Sequence, residues 1–170
     1  MVNTDAPAAL RDRVWQALER VFDPEIPVLT VVDLGIVRAV NVVGEDIEVV
    51  VTPTYSGCPA TQAIHESIRR ALADAGFPMA RVRTSLQPAW TTDWMTAAGR
   101  EKLRRSGIAP PTREGAQATI YFRRVEPVVI PCPQCGSTNS ERLAEFGSTP
   151  CKALYRCRDC REPFDYFKPI

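Results

Sequence analysis

The stretch Thr52-Pro53-Thr54-Tyr55-Ser56-Gly57-Cys58-Pro59-Ala60-Thr61 decides the fold of the first half of the chain, because it carries a strand through a tight turn into a helix with a cysteine at the junction. Ahead of it, residues 46–52 alternate and then run apolar through Val49, Val50 and Val51, the pattern of a largely buried strand. Pro53 and Gly57 stop that strand. Behind it, Ala63, Ile64, Ile68, Ala71, Leu72 and Ala75 recur at helical spacing as far as Gly76, and Pro59 suits a first helical turn because no amide partner is lost there. Cys58 is thereby expected at a helix N-terminus. There the helix dipole and unpaired amides favour the thiolate, the form of cysteine that acts as a nucleophile and binds metal. The alternative is a cysteine that packs as a small buried hydrophobe.

Toward the N-terminus, Leu10, Val14, Leu18 and Val21 repeat every three or four residues, which predicts an amphipathic helix that Thr4 or Asp5 can cap. Asp23-Pro24-Glu25-Ile26-Pro27 ends it, since proline removes an amide and pushes the residue before it out of helical geometry. Asp23 and Glu25 are thus two carboxylates fixed in a stiff loop, whose plainest role is to cap and solvate the turn. Residues 28–33 are apolar and β-branched in the manner of a strand, and Asp33-Leu34-Gly35 then turns into the next strand, 36–42. A bend at Gly44 pairs that strand with 46–52 as an antiparallel hairpin.

Beyond the Cys58 helix, residues 81–86 alternate and add another strand. A helix between two strands of one sheet makes a right-handed crossover, so 81–86 is expected parallel to 46–52, with Cys58 at the carboxyl edge where ligands bind in such folds. A further helix ends at Gly107, and Trp90 and Trp94 anchor the segment before it, at least one of them in a core. Pro110-Pro111 and Gly115 mark residues 108–117 as a linker between a first domain, 1–107, and a second, 118–170, whose residues 118–125 are β-rich.

The second domain reads Cys132-Pro133-Gln134-Cys135-Gly136 and, after a further 21 residues, Cys157-Arg158-Asp159-Cys160. Two such turns present four thiolates to one ion, with a hairpin's length of chain to bring them together. Cys132, Cys135, Cys157 and Cys160 are therefore the expected ligands of a structural zinc ribbon. Iron or an iron-sulfur cluster has the same ligand set. Of six cysteines this leaves Cys58 and Cys151, the latter read as an inert thiol. Cysteines in CxxC pairs rather than a disulfide framework, with no export signal and no apolar run of membrane length, predict a cytoplasmic protein.

A formal charge of +1 provides no general field for nucleic acid or anionic lipid. His65 is the single histidine, so Cys-His or Ser-His catalysis would hang on one residue of the helix, which reads better as solvated or packed. The chain also lacks a phosphate-cradling glycine motif and the Glu and Glu-x-x-His set of a di-iron site. It is therefore expected to run no nucleotide or oxygen chemistry of its own.

Asp23-Pro24-Glu25-Ile26, Asp33-Leu34-Gly35-Ile36-Val37 and Gly57-Cys58-Pro59 together resemble the SufT-like domain of iron-sulfur cluster assembly factors, over about residues 5–107. The Thr52 to Pro59 stretch, Ala89-Trp90-Thr91-Thr92-Asp93-Trp94 and Phe146-Gly147-Ser148-Thr149 with Cys151-Lys152-Ala153-Leu154 extend the likeness to the phenylacetate-degradation D family. The resemblance implies an α+β fold, a small mixed sheet with helices followed by a zinc ribbon. It implies an accessory factor of the phenylacetyl-CoA epoxidase, with Cys58, Asp23 and Glu25 holding iron or a cluster transiently. The implied partners are the iron-sulfur flavin reductase component and other epoxidase subunits. The rival reading is a structural or regulatory subunit, and homodimerisation through the helices stays open.

Overall fold

The computed structural model describes residues 6–44, 46–55, 57, 59–112 and 129–169. Its contacts group into two compact units, one running to Trp90 and taking in Trp94–Thr96, the other comprising Thr91–Asp93 and the chain from Ala97 onward.

In the first unit, helix α1 (Ala6–Leu18) buries Val14, Ala17 and Leu18 on one stripe. Strands β1 (Val37–Val43) and β2 (Asp46–Val51) form the expected hairpin, with Val40 opposite Val49 and Val42 opposite Ile47. Gly44 turns the corner at φ +61°. Helix α2 (Thr61–Asp74) then crosses to β3 (Arg81–Thr84), which pairs parallel to β2 with Val49 beside Val82. The sheet order is β1-β2-β3, and the parallel pairing of β3 with β2 is the one expected of a helical crossover. Ile64, Ile68 and Leu72 of α2 are buried, while Val49, Val50 and Val51 are the buried run of the central strand.

Residues 28–33 do not form the strand their β-branched content suggests. The Asp33 carboxylate instead accepts hydrogen bonds from the Thr30 amide and the Thr30 hydroxyl, both at 2.9 Å, and the Asp33 amide donates back to that hydroxyl. Such side-chain bonds offer the backbone an alternative to a ladder, and the segment closes into turns with one bridge, Phe22 to Thr30. Gly35 follows at φ +67°, and a Cβ built on it would meet the Trp94 carbonyl oxygen at 2.1 Å. The Trp90 indole donates to the Leu34 carbonyl at 3.0 Å and Trp90 is buried, so the Asp-Leu-Gly turn and the tryptophan segment lock together. The Arg38 guanidinium stacks 3.4 Å over the Trp94 ring.

The second unit contains a short 3-10 turn (Thr92–Trp94, shared at its end with the first unit), helix α3 (Ala97–Arg105), and a four-stranded sheet ordered β4-β7-β6-β5. Its strands are β4 (Ile108–Ala109), β5 (Ser140–Ala144), β6 (Lys152–Cys157) and β7 (Pro163–Phe167). β5, β6 and β7 run antiparallel, and β4 lies parallel to β7. The segment expected as a linker, 108–117, therefore opens as a sheet strand, and α3 groups with this unit rather than with the first. Residues 113–117 and the expected strand 118–125 lie outside the described residues. Ala109, Ile130, Ala153, Phe164 and Tyr166 pack with Cys132 and Cys157 into one small core, and Tyr155 stacks on Phe164 at 5.8 Å.

Candidate functional site

The Asp23 loop is built by its own side chain. Asp23 Oδ1 accepts from the amides of Glu25 and Ile26, each at 2.8 Å, and the Asp23 amide donates to the Leu29 carbonyl at 2.9 Å. Pro24 fits between these donors because it has no amide to satisfy. Asp23 is 8% exposed, so the turn-capping role and a place beside the interior coincide in one residue.

A cavity of about 20 Å³ opens against Asp23, and Pro53, Thr54, Thr61, Ile64 and His65 line it. That volume holds about one water or one ion and no organic substrate. Pro53 and Thr54 precede Cys58 in the chain and Thr61 follows it, so the two arms of the cysteine turn meet the Asp-Pro-Glu bend here. Cys58 and Ser56 themselves lie outside the described residues. α2 begins at Thr61 behind an Ala60 that makes no side-chain cap, so Pro59 stands in the turn leading to the helix. Glu25 is half-buried in the loop and is not among the residues lining the cavity.

The sequence reads His65 as a solvated or packed helix residue, and the structure puts it on the cavity wall. Its Nε2 lies 3.0 Å from the Thr84 hydroxyl of β3. Burial, and secondly the charge of Arg69, hold its imidazole below the ordinary histidine range, so it is neutral near pH 7. One more polar atom stands out: the Thr52 hydroxyl at the end of β2, on a residue 1% exposed, has no hydrogen-bond partner among the described residues.

The four cysteines of the second unit converge. The sulfurs of Cys132, Cys135, Cys157 and Cys160 all lie within 4.8 Å of one another, with Cys132 to Cys160 at 3.7 Å and Cys135 to Cys157 at 3.6 Å. Thiolates about 2.3 Å from a tetrahedral ion stand roughly 3.8 Å apart, so the donor set fits one such ion with no fifth position open. The β5-β6 hairpin supplies the convergence by pairing Ser140 with Cys157. The knuckles are also tied by side chains: the Asp159 carboxylate accepts from the Ser137 hydroxyl and, at 2.8 Å, from the Asn139 amide. The Cys160 amide hydrogen-bonds the Cys157 sulfur and lowers that thiol to about 7. At Cys160 the Glu162 amide favours the thiolate, but desolvation and the three neighbouring thiols outweigh it and push the group up to about 12. Four thiolates so close need a cation among them. Cys151 is buried elsewhere, its sulfur 3.1 Å from the Thr149 hydroxyl.

Among the described residues no helix is long and apolar enough to cross a membrane. Residues 11–83 match the model of the iron-sulfur cluster assembly protein family, and residues 117–168 match the PaaD zinc beta ribbon domain. The chain is 50% identical over 167 residues to an Escherichia coli (strain K12) protein named as the D component of 1,2-phenylacetyl-CoA epoxidase, covering 98% of this chain and 97% of that protein. It is 35% identical over 92 residues to an Fe-S protein maturation auxiliary factor of Bacillus subtilis (strain 168), covering 52% of this chain and 87% of the relative. The crystal structure of a domain of unknown function, DUF59, from Bacillus anthracis superposes with a TM-score of 0.55 at 25% identity, over 59% of this chain and 97% of that one. With half of its residues shared along nearly its whole length, and a PaaD-type ribbon around the four cysteines, the chain belongs to the PaaD family of phenylacetyl-CoA epoxidase components.

Proposed function

We propose that this protein is a cytoplasmic maturation factor of the phenylacetyl-CoA epoxidase complex, assisting iron-sulfur cluster assembly or insertion into the reductase component, with no catalysis of its own. Cys58 holds iron or a cluster in transit, and Asp23, with Glu25 beside it, supplies oxygen ligands or takes up the thiol proton. The first unit carries that site, and the structural zinc held by Cys132, Cys135, Cys157 and Cys160 shapes the ribbon that meets the client. The observation that carries the reading is the ion-sized cavity at which Asp23 meets the residues on either side of the cysteine turn. A closed four-sulfur site has no position for cargo, so transfer belongs to the first site.

The test is cluster loading. In a strain or an anaerobic reconstitution carrying Cys58→Ser, the reductase should retain its flavin and lose most of its iron and labile sulfide, with Asp23→Asn intermediate. A reductase fully loaded beside the Cys58→Ser protein would rule out the transfer role. The second reading, a structural or regulatory component, is favoured by the near full-length identity to a protein named as part of the epoxidase. It requires stoichiometric co-purification and full complementation by Cys58→Ser.

A further inference from the structure

The two cysteine knuckles differ at one position. After Cys135 comes Gly136 at φ +75°, where an added Cβ would meet nothing within 4 Å, so glycine is there for its backbone alone. After Cys160, the corresponding residue is Arg161 at φ +65°, the single non-glycine residue with positive φ among those described. An arginine in left-handed geometry costs stability that glycine would not, and such positions persist where the side chain is needed.

Arg161 lines an open cleft of about 430 Å³ with Glu141, Arg156 and Arg158, backed by Cys157. Glu141 already holds the other two arginines, accepting from Arg158 at 2.8 and 3.1 Å and from Arg156 at 3.0 Å. Arg161 is exposed and makes no hydrogen bond or ion pair among the described residues. Three guanidinium groups against one carboxylate leave the cleft with two positive charges in excess. Among the described residues no arginine donates a hydrogen bond to a sulfur of the four-cysteine group.

We propose that this face of the ribbon docks a carboxylate-rich segment of a partner protein, with Arg161 as the open fork and Arg156 and Arg158 completing the clamp. Bidentate geometry suits arginine to carboxylates. A continuous phosphate backbone is the poorer fit, because the Glu141 carboxylate lines the cleft and the whole chain carries a formal charge of only +1. The proposal rests on reading the ribbon as the client-recognition module, and it names the contact.

The test compares the full-length zinc-loaded protein with Arg161→Gly, which keeps the left-handed turn and removes the charge. Two probes are titrated at low and high salt, a hexaglutamate peptide and the purified reductase component, with zinc content and melting temperature read in parallel. The expected result is about fivefold weaker peptide binding by the variant, a difference that shrinks in high salt, with zinc retained and melting unchanged or higher. Equal peptide binding by both proteins, or a variant that sheds zinc, overturns the proposal. Peptide discrimination without any reductase binding by the wild type leaves the proposal standing and overturns the choice of client instead.

Discussion

Replacing Gly35 with alanine should cost about 3 kcal/mol, for reasons that add up around one turn. The residue sits at φ +67°, so any L side chain bears a left-handed penalty of about 1 kcal/mol, partly offset by the stiffer unfolded chain. The new carbon would then lie 2.1 Å from the Trp94 carbonyl oxygen and 2.6 Å from its carbon, both backbone atoms that cannot rotate away. Forcing them apart is an overpacking cost of about 1–3 kcal/mol, and shifting the turn also weakens the Trp90 indole bond to Leu34, worth about 1 kcal/mol. Gly44 is the internal control. It has φ +61° with nothing within 4 Å of an added Cβ, so Gly44→Ala should show only the conformational part, about 1 kcal/mol. Urea denaturation followed by tryptophan fluorescence measures both. Equal losses for the two variants would refute the steric argument and mean that the tryptophan segment is not held against the Asp-Leu-Gly turn. Because Leu34 and Ile36 line the Asp23 cavity, Gly35→Ala should also lower cluster transfer.

Three further outcomes are expected. Lys152 is 5% exposed and pairs with Asp165 at 3.1 Å, so Asp165→Ala should destabilise the chain by about 3 kcal/mol in thermal melts, whereas Lys152→Met with Asp165→Leu should recover most of it. His65 titrates below its unfolded value of 6.5, so the unfolded chain binds the extra proton; its contribution is present above about pH 6.5 and lost as pH falls below that, and His65→Asn should flatten the fall in urea midpoint between pH 7 and 5. Stripping the metal with a chelator, or Cys135→Ser, should abolish the near-ultraviolet signal of Tyr155 and Tyr166 while the first unit keeps its tryptophan fluorescence, since Cys132 and Cys157 are themselves part of the small core.

Most of the fold follows from spacing. The valine run, the helical recurrence from Ala63 to Ala75 and the alternation after Arg81 specify β2, α2 and β3, and one handedness rule makes β3 parallel. Where composition misleads, a side chain has intervened. Residues 28–33 carry strand-forming residues, but Asp33 and Thr30 satisfy the backbone locally, and nothing in β-propensity registers a hydrogen bond from a side chain three residues away. β4 was hidden for a different reason. Ile108 and Ala109 stand beside two prolines and pair with Asp165 and Tyr166, more than fifty residues onward, a contact no local window can see.

The convergence of the four cysteines was legible because CxxC spacing is itself geometry: a turn of that length brings two sulfurs to one place. The cavity was legible only in part. Asp-Pro-Glu and the cysteine turn announced themselves through proline and glycine, but His65 did not, because the period count that picked out Ile64, Ile68 and Leu72 treats polar positions as outside the stripe. Thr61, Ile64, His65, Ile68 and Leu72 in fact form one helical face at intervals of three, one, three and four, and that face meets the sheet. Thr61 and His65 at the N-terminal end of that stripe mark where the interior stops being apolar. The two sites then divide the chemistry by what each can admit. Four sulfurs converging as for one ion leave no position for a newcomer, whereas a pocket walled by a carboxylate, an imidazole and the arms of a cysteine turn has room for about one water or one ion and nothing larger.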